Sequence, residues 1–148
     1  MQEANPTSNY GTATSLLVNG ASNPDVESYL RFTVSGVTGP IQSARLRVYV
    51  TTNGTNNGPA VYAAGNSWTE TGITWNTRPA LVSGAADNKG ALGTNAWVEY
   101  DVTALVTGDG TYTFALLADS ADGVTFSSRQ GSTSPQLVLT LSTGGAPN

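Results

Sequence analysis

Strict alternation of apolar and polar residues constrains this chain more than any other feature. In "ARLRVYV", Ala44, Leu46, Val48 and Val50 fall on one face, while Arg45, Arg47 and Tyr49 fall on the other. A period of two puts successive side chains on opposite faces of an extended strand, so this segment reads as a half-buried β-strand. The same pattern recurs. "SYLRFTV" aligns Leu30, Phe32 and Val34 against Tyr29, Arg31 and Thr33. "WVEYDV" sets Val98, Tyr100 and Val102 against Trp97, Glu99 and Asp101. "TYTFALL" supplies Tyr112, Phe114 and Leu116; "VTFSSR" supplies Val124 and Phe126; "QLVLTL" supplies Leu137, Leu139 and Leu141. Shorter strands are expected at residues 16–18, 60–63 and 73–75.

Asn19-Gly20, Asn53-Gly54, Asn57-Gly58, Asp109-Gly110 and Asp122-Gly123 separate these segments. Such pairs adopt positive φ at low cost and mark turns. About nine short strands divided this way predict an all-β fold, an antiparallel β-sandwich with jelly-roll-like wiring. "DVTALV", residues 101–106, is the one helical signal, with Asp101 placed to cap a single turn. Residues 1–141 read as one domain and residues 142–148, "STGGAPN", as a C-terminal linker or tail.

Composition removes whole classes of function. The chain has no Cys and no His. Disulfides, thiolate nucleophiles, a histidine base and zinc held by Cys or His are therefore excluded. Charged residues make up only 11% of the chain, against ~25% in ordinary soluble proteins, so hydroxyls and amides carry its solubility. The net charge is −4, and Arg45 with Arg47 is the only close basic pair. Nucleic acid, which needs a basic stripe to displace counterions, is not an expected partner. No run is long and apolar enough for membrane insertion, and Met1 is the only methionine, as in a mature segment given a start codon.

Six ordered stretches carry a family resemblance: "NPTSNYGTATSLLV", "SYLRFTVSGV", "SARLRVYV", "NSWTETGITWNTRPA", "WVEYDVTALVTGDGTYTFAL" and "GVTFSSRQ" followed by "SPQLVLTL". Together they resemble the signatures of DNRLRE-type domains, which overlap with carbohydrate-binding module family 96. The resemblance implies a secreted bacterial β-sandwich appended to polysaccharide lyases, glycosidases or large cell-surface proteins. Some such domains bind anionic polysaccharide such as alginate. Family members usually begin with a short strand of the type Ala-Asp-aromatic-Val ahead of the Asn-Pro segment. Here Met1-Gln2-Glu3 leads directly to Ala4-Asn5-Pro6. Either the boundary falls slightly late, or a groove is open to strand donation from a peptide or second chain.

Several residues are candidates for binding. If their strands are neighbours, Arg31, Arg45, Arg47 and Tyr49 form a basic-aromatic face suited to the carboxylates and rings of a uronate polymer. The alternative is that these arginines pair with Glu27, Glu70 or Glu99. Trp97 opens a strand on an outward row, and Arg78 is the outward charge of its loop. Trp68 and Trp75 are either a sugar-stacking platform or pegs that clasp a loop to the core; the usual burial of Trp favours the clasp. Glu99 and Asp101 stand i, i+2 on one face, ~6–7 Å apart from the strand rise, a separation of interest in glycosidases, although Asp101 reads better as a turn cap.

Asp119 and Asp122 in one turn, with Asp25 and Glu27, offer oxygens for a structural calcium but lack contiguous calcium-loop spacing. Lys89, the only lysine, lies in a polar loop and reads as solvated rather than as an isopeptide cross-link. Asn53-Gly54-Thr55 is a glycosylation sequon without meaning in a bacterial protein. The expectation is a non-catalytic module with no obligate cofactor, binding an acidic polysaccharide through Arg31, Arg45, Arg47, Tyr49, Trp97 and Arg78. The alternative is a structural or adhesion spacer of a surface protein, with a strand-accepting fragment completed by a donated strand as one form of it.

Overall fold

The computed structural model describes residues 1–20, 25–118 and 120–142. Of the predicted tail at 142–148, residues 143–148 lie outside them, while the Ser142 N–H donates to the Pro40 carbonyl at 3.0 Å. Among the described residues eight strands form: β1 (Ser15–Val18), β2 (Ser28–Val34), β3 (Ile41–Val50), β4 (Ala60–Ala64), β5 (Ala96–Asp101), β6 (Gly110–Leu117), β7 (Val124–Ser127) and β8 (Gln136–Leu141). They make two sheets, a larger one in the order β1-β7-β3-β5 with β8 also paired to β3, and a smaller one in the order β2-β6-β4. Every strand pairing is antiparallel.

Strand β3 is the hub of the larger sheet. Residues Arg45 to Val50 pair with β5. Ile41 to Arg47 pair with β8, and Val50 with β7. A strand has two edges, so β7 and β8 share the one that β5 leaves. From β1 to β7 the chain changes sheet at every connection, which is the jelly-roll-like feature of the wiring.

That wiring corrects the reading of the turns. No two consecutive strands pair with each other, so the Asn-Gly and Asp-Gly steps close no hairpin and do not need the positive-φ turns that hairpins prefer. Of the five glycines singled out, only Gly110 has a positive φ, 154°. Gly54 is required for another reason: a Cβ there would lie 2.3 Å from the carbonyl oxygen of Leu92, beside the bridge between Thr55 and Leu92.

The predicted inward rows meet in the core, except that Leu141, at the end of β8 where the sandwich no longer covers it, is 40% exposed. Leu46, Val48, Val50, Tyr100, Phe114, Leu116 and Phe126 are fully enclosed, each large side chain stabilising the fold by roughly 1.5–3 kcal/mol on burial. Tyr100 keeps its hydroxyl satisfied by donating to the carbonyl of Pro59 at 2.8 Å. Strand β6 departs from simple alternation, since Thr113 and Ala115 are buried along with Phe114 and Leu116. Its outer face is covered too, and the cover is the loop at residues 65–80.

Two local expectations change. Residues 73–75 form no strand; Gly72 and Ile73 both donate backbone N–H to the carbonyl of Thr69, and this turn drives Ile73 inward to 8% exposure. The helical signal is a 3-10 turn, Thr103–Leu105, whose N-cap position is Val102. Asp101, one residue earlier, accepts from the Thr103 N–H at 3.0 Å and its hydroxyl at 2.6 Å, a local side-chain turn rather than a cap in the strict sense.

Candidate functional site

The outer face of the larger sheet brings four predicted residues together. Register sets Tyr49 opposite Trp97, Arg47 opposite Glu99 and Arg45 opposite Asp101. The Tyr49 and Trp97 rings meet edge-on, centroids 5.3 Å apart and planes at 75°. The Arg47 guanidinium lies 4.3 Å over the Trp97 ring. Strand β8 adds Gln136, whose Oε1 accepts from Arg47 Nη1 at 2.8 Å.

Glu99 and Asp101 are each committed to an arginine here: Arg47 Nε lies 3.1 Å from Glu99, and Arg45 lies 3.5 Å from Asp101. Both acids are about half exposed, so each pair contributes about 0–1 kcal/mol. Arg47 Nε is nonetheless enclosed without an aligned hydrogen bond, so Glu99 satisfies its charge better than its donor. Hydrogen bonds from Thr103 hold the Asp101 carboxyl below the ordinary aspartate range, with a smaller contribution from Arg45.

Arg31 and Arg78 do not join this face. β2 is in the other sheet, so the continuous four-residue row expected of Arg31, Arg45, Arg47 and Tyr49 does not exist. Arg31 stands outside the smaller sheet, opposite Thr113. Its guanidinium stacks 4.4 Å over the Trp68 ring, and Nη1 donates to the carbonyls of Asn66 and Trp68. The Trp68 indole N–H donates to the Thr113 hydroxyl at 2.9 Å, which donates in turn to Asn66 Oδ1 at 2.7 Å. Arg78 stacks 3.7 Å over Trp75, donates to the Trp75 carbonyl at 2.7 Å and pairs with Glu27 at 3.2 Å. The Tyr29 hydroxyl also donates to Glu27; burial, with the Glu27 charge next, pushes Tyr29 far above its ordinary range. Both tryptophans are half-buried and each carries an arginine on its ring. They are the clasp, and Arg78 is part of it rather than outward chemistry.

The clasp is tied down by a partner that the sequence reading missed. Asn9 Nδ2 donates to the carbonyls of Glu70 and Ile73 at 2.9 and 2.7 Å. The Asn76 N–H donates to the Pro6 carbonyl. Gly11 lies so close that a Cβ would be 2.0 Å from the Glu70 carbonyl oxygen. From the turn after β7, Arg129 grips Glu70 through Nε and Nη2 at 2.9 and 2.5 Å, and Gln130 donates to the Gly11 carbonyl at 2.8 Å. Hydrogen bonding from Arg129 holds the Glu70 carboxyl below its ordinary range. The quoted stretches "NPTSNYG", "SWTETGITWN" and "SSRQ" are thus one joint, and their recurrence as motifs was the available signal.

A cleft of about 430 Å³ opens beside this joint. Its walls include Leu16 of β1 and Leu30 and Phe32 of β2, with Ile73 from the clasp, and Tyr10, Trp68 and Arg31 at its lip. Among the described residues β1 pairs only with β7 and β2 only with β6, so the cleft runs along the seam between two unpaired edges.

Residues 1–141 match the description carbohydrate-binding module family 96. The chain belongs to carbohydrate-binding module family 96. Among curated proteins none matches it. Family 96 membership makes this a non-catalytic binding module whose general ligand is carbohydrate.

Other candidates in this family 96 module have structural partners. Lys89 pairs with Asp87 at 3.5 Å, stands 5.6 Å over the Tyr100 ring and is about one-third exposed, less solvated than expected. Asp122 accepts the Asn56 N–H at 2.7 Å and its carbonyl accepts the Thr55 hydroxyl at 2.6 Å. That bond buries the hydroxyl of the sequon. Asp119 lies outside the described residues; among those described, no group of three or more Asp or Glu could hold a metal ion. No described helix is long and apolar enough to cross a membrane.

Proposed function

We propose that the module binds an acidic, uronate-bearing polysaccharide on the outer face of its larger sheet, through Arg45, Arg47, Tyr49 and Trp97. One observation carries the reading: two arginines and then an aromatic pair follow one another along one outward row. Their partners, Glu99 and Asp101, are about half exposed; Arg45 is similarly open, and Arg47, about one-quarter exposed, is also held by Gln136. A sugar carboxylate can replace such a partner at small cost, because exposed pairs are weak, and the guanidinium fork accepts a carboxylate in two-point fashion. The rings of Tyr49 and Trp97 supply apolar area for a pyranose. Such a module serves a secreted or cell-surface bacterial protein by holding it on the polymer.

Affinity electrophoresis through gels containing alginate, polygalacturonate or a neutral glucan tests this. Retardation by the two uronates that weakens as salt is raised is the expected pattern. Equal mobility in every gel rejects it.

A second reading, strand acceptance, is favoured by the first residues of the chain. Gln2 bridges Val26, Glu27 donates its N–H to the Met1 carbonyl at 3.0 Å, and the Met1 ammonium donates to the Glu27 carbonyl at 2.7 Å. By strand alternation, the outward backbone groups continue from Glu27 to Tyr29, Arg31 and Thr33 along the unpaired edge of β2. An extended peptide continuing that antiparallel ladder would lay alternate side chains into the seam beside Leu30 and Phe32, and the module would then also act as a strand-accepting spacer. A synthetic peptide of alternating apolar residues should raise Tm as any ligand of the native state does, by about 2.7 kcal/mol of stability at a hundredfold excess over Kd. An unchanged Tm across a peptide series rejects this reading.

A further inference from the structure

The six cationic side chains do not share one condition. Arg45, Arg47, Arg78, Lys89 and Arg129 each have a carboxylate within 4 Å. Among the described residues Arg31 is the one that has none. Its guanidinium is nevertheless fixed. The ring of Trp68 lies beneath it, and Nη1 is spent on the carbonyls of Asn66 and Trp68. Trp68 is itself fixed by Thr113, and Thr113 by Asn66, whose side-chain amide reaches the Thr111 carbonyl at 3.0 Å. Nε and Nη2 of Arg31 have no acceptor among the described residues. An exposed arginine normally loses side-chain entropy when it grips an anion; here that ordering is already done.

The surrounding charge agrees. Glu70 feels the charge of Arg31, but its two oxygens are held by Arg129. Arg31, Glu70 and Arg129 together carry one positive charge on a protein whose net charge is −4. Tyr10, an exposed aromatic at 37%, shares the cleft lip with Arg31 and Trp68.

We propose that Arg31, fixed on Trp68, is the anchor of a second binding site, which takes a carboxylate-bearing sugar residue on the opposite side of the molecule from Arg45 and Arg47. The two sites sit on the outer faces of sheets packed about 10 Å apart, so no single sugar residue reaches both. The module is then divalent and bridges two stretches of polymer, with the gain in avidity that two linked contacts give. This rests on the acidic-glycan reading for the class of ligand, and its test separates the two.

The experiment is a calorimetric titration with a tetrauronate, comparing the native protein with R31Q and with the R45Q/R47Q double variant. Two equivalents should bind to the native protein and one to each variant. In a W75F/W97F background Trp68 is the sole indole, and its emission should shift on adding tetrauronate. R31Q abolishes that shift; R31K, which keeps the charge but not the fork, weakens binding at this site about tenfold or more. Tm measured alongside keeps folding losses apart from binding losses. A single equivalent that R31Q leaves intact and R45Q/R47Q removes overturns the second site and leaves the first standing. No binding of tetrauronate to the native protein overturns both.

Discussion

Asn9 reaches across 61 residues of sequence to the carbonyl of Glu70 at 2.9 Å, and the same amide nitrogen takes the carbonyl of Ile73 at 2.7 Å. Its Oδ1 accepts the Gly11 N–H at 2.9 Å. One side chain thus fastens the N-terminal segment to the clasp. Asn9→Ala strands two partly enclosed carbonyls and should cost about 1–3 kcal/mol. For a domain of this size that lowers Tm by about 2–4 °C per kcal/mol, measurable by calorimetry. Uronate binding on the larger sheet should not change.

Thr113 is buried at 2% and its hydroxyl is at once acceptor for Trp68 and donor to Asn66. Thr113→Val keeps the shape and removes both bonds, leaving an indole N–H without its partner. A loss of about 1–3 kcal/mol should accompany a red-shifted Trp68 emission. An unshifted spectrum would mean that Thr113 does not position Trp68.

The joint is also sensitive to acid. The Glu70 carboxyl lies below its ordinary value of 4.5 because Arg129 hydrogen-bonds its charged form. A carboxyl depressed in the folded state binds fewer protons there than in the unfolded chain. Its contribution is therefore complete above 4.5 and is lost as pH falls through the lower, folded value. Asp101 follows the same sign from an ordinary value of 3.8. Tm should fall below about pH 4.5, and less steeply in E70Q than in the native protein. Parallel curves would contradict the assignment.

Core and surface should separate cleanly. Phe114 is fully buried and packs at 6.1 Å against Phe32, so Phe114→Ala should cost about 3–5 kcal/mol. Val82 is 69% exposed, and Val82→Ala should stay within about 0.5 kcal/mol. Denaturant midpoints measure both.

The inward rows were legible because period two is a property of the strand itself: Ala44, Leu46, Val48 and Val50 are all fully buried, as the alternation requires. Pairing is not local in that sense. Whether β2 lies beside β3 depends on which sheet each joins, and a chain that changes sheet at every connection from β1 to β7 separates Arg31 from Arg45 and Arg47. The Asn-Gly steps misled for the same reason, since a turn between sheets need not have a hairpin's φ. Ile73 reads as strand by composition, but the turn through Thr69 buries it as a peg. Asn9 and Arg129 carried no periodic signal at all; their role exists only where three distant segments meet.

Trp97 is where the account of function is most exposed to test. A calorimetric titration of a uronate hexasaccharide should be run against the native protein and W97A, with Tm recorded for each and the titration repeated at raised salt. Loss of the ring takes away the stacking surface and the support of Arg47, so the site on the larger sheet should weaken about tenfold or more, with Tm little changed. Native binding should itself weaken with salt. A hexasaccharide that binds W97A and the native protein equally, or a neutral hexasaccharide that binds as tightly as the uronate, would contradict it.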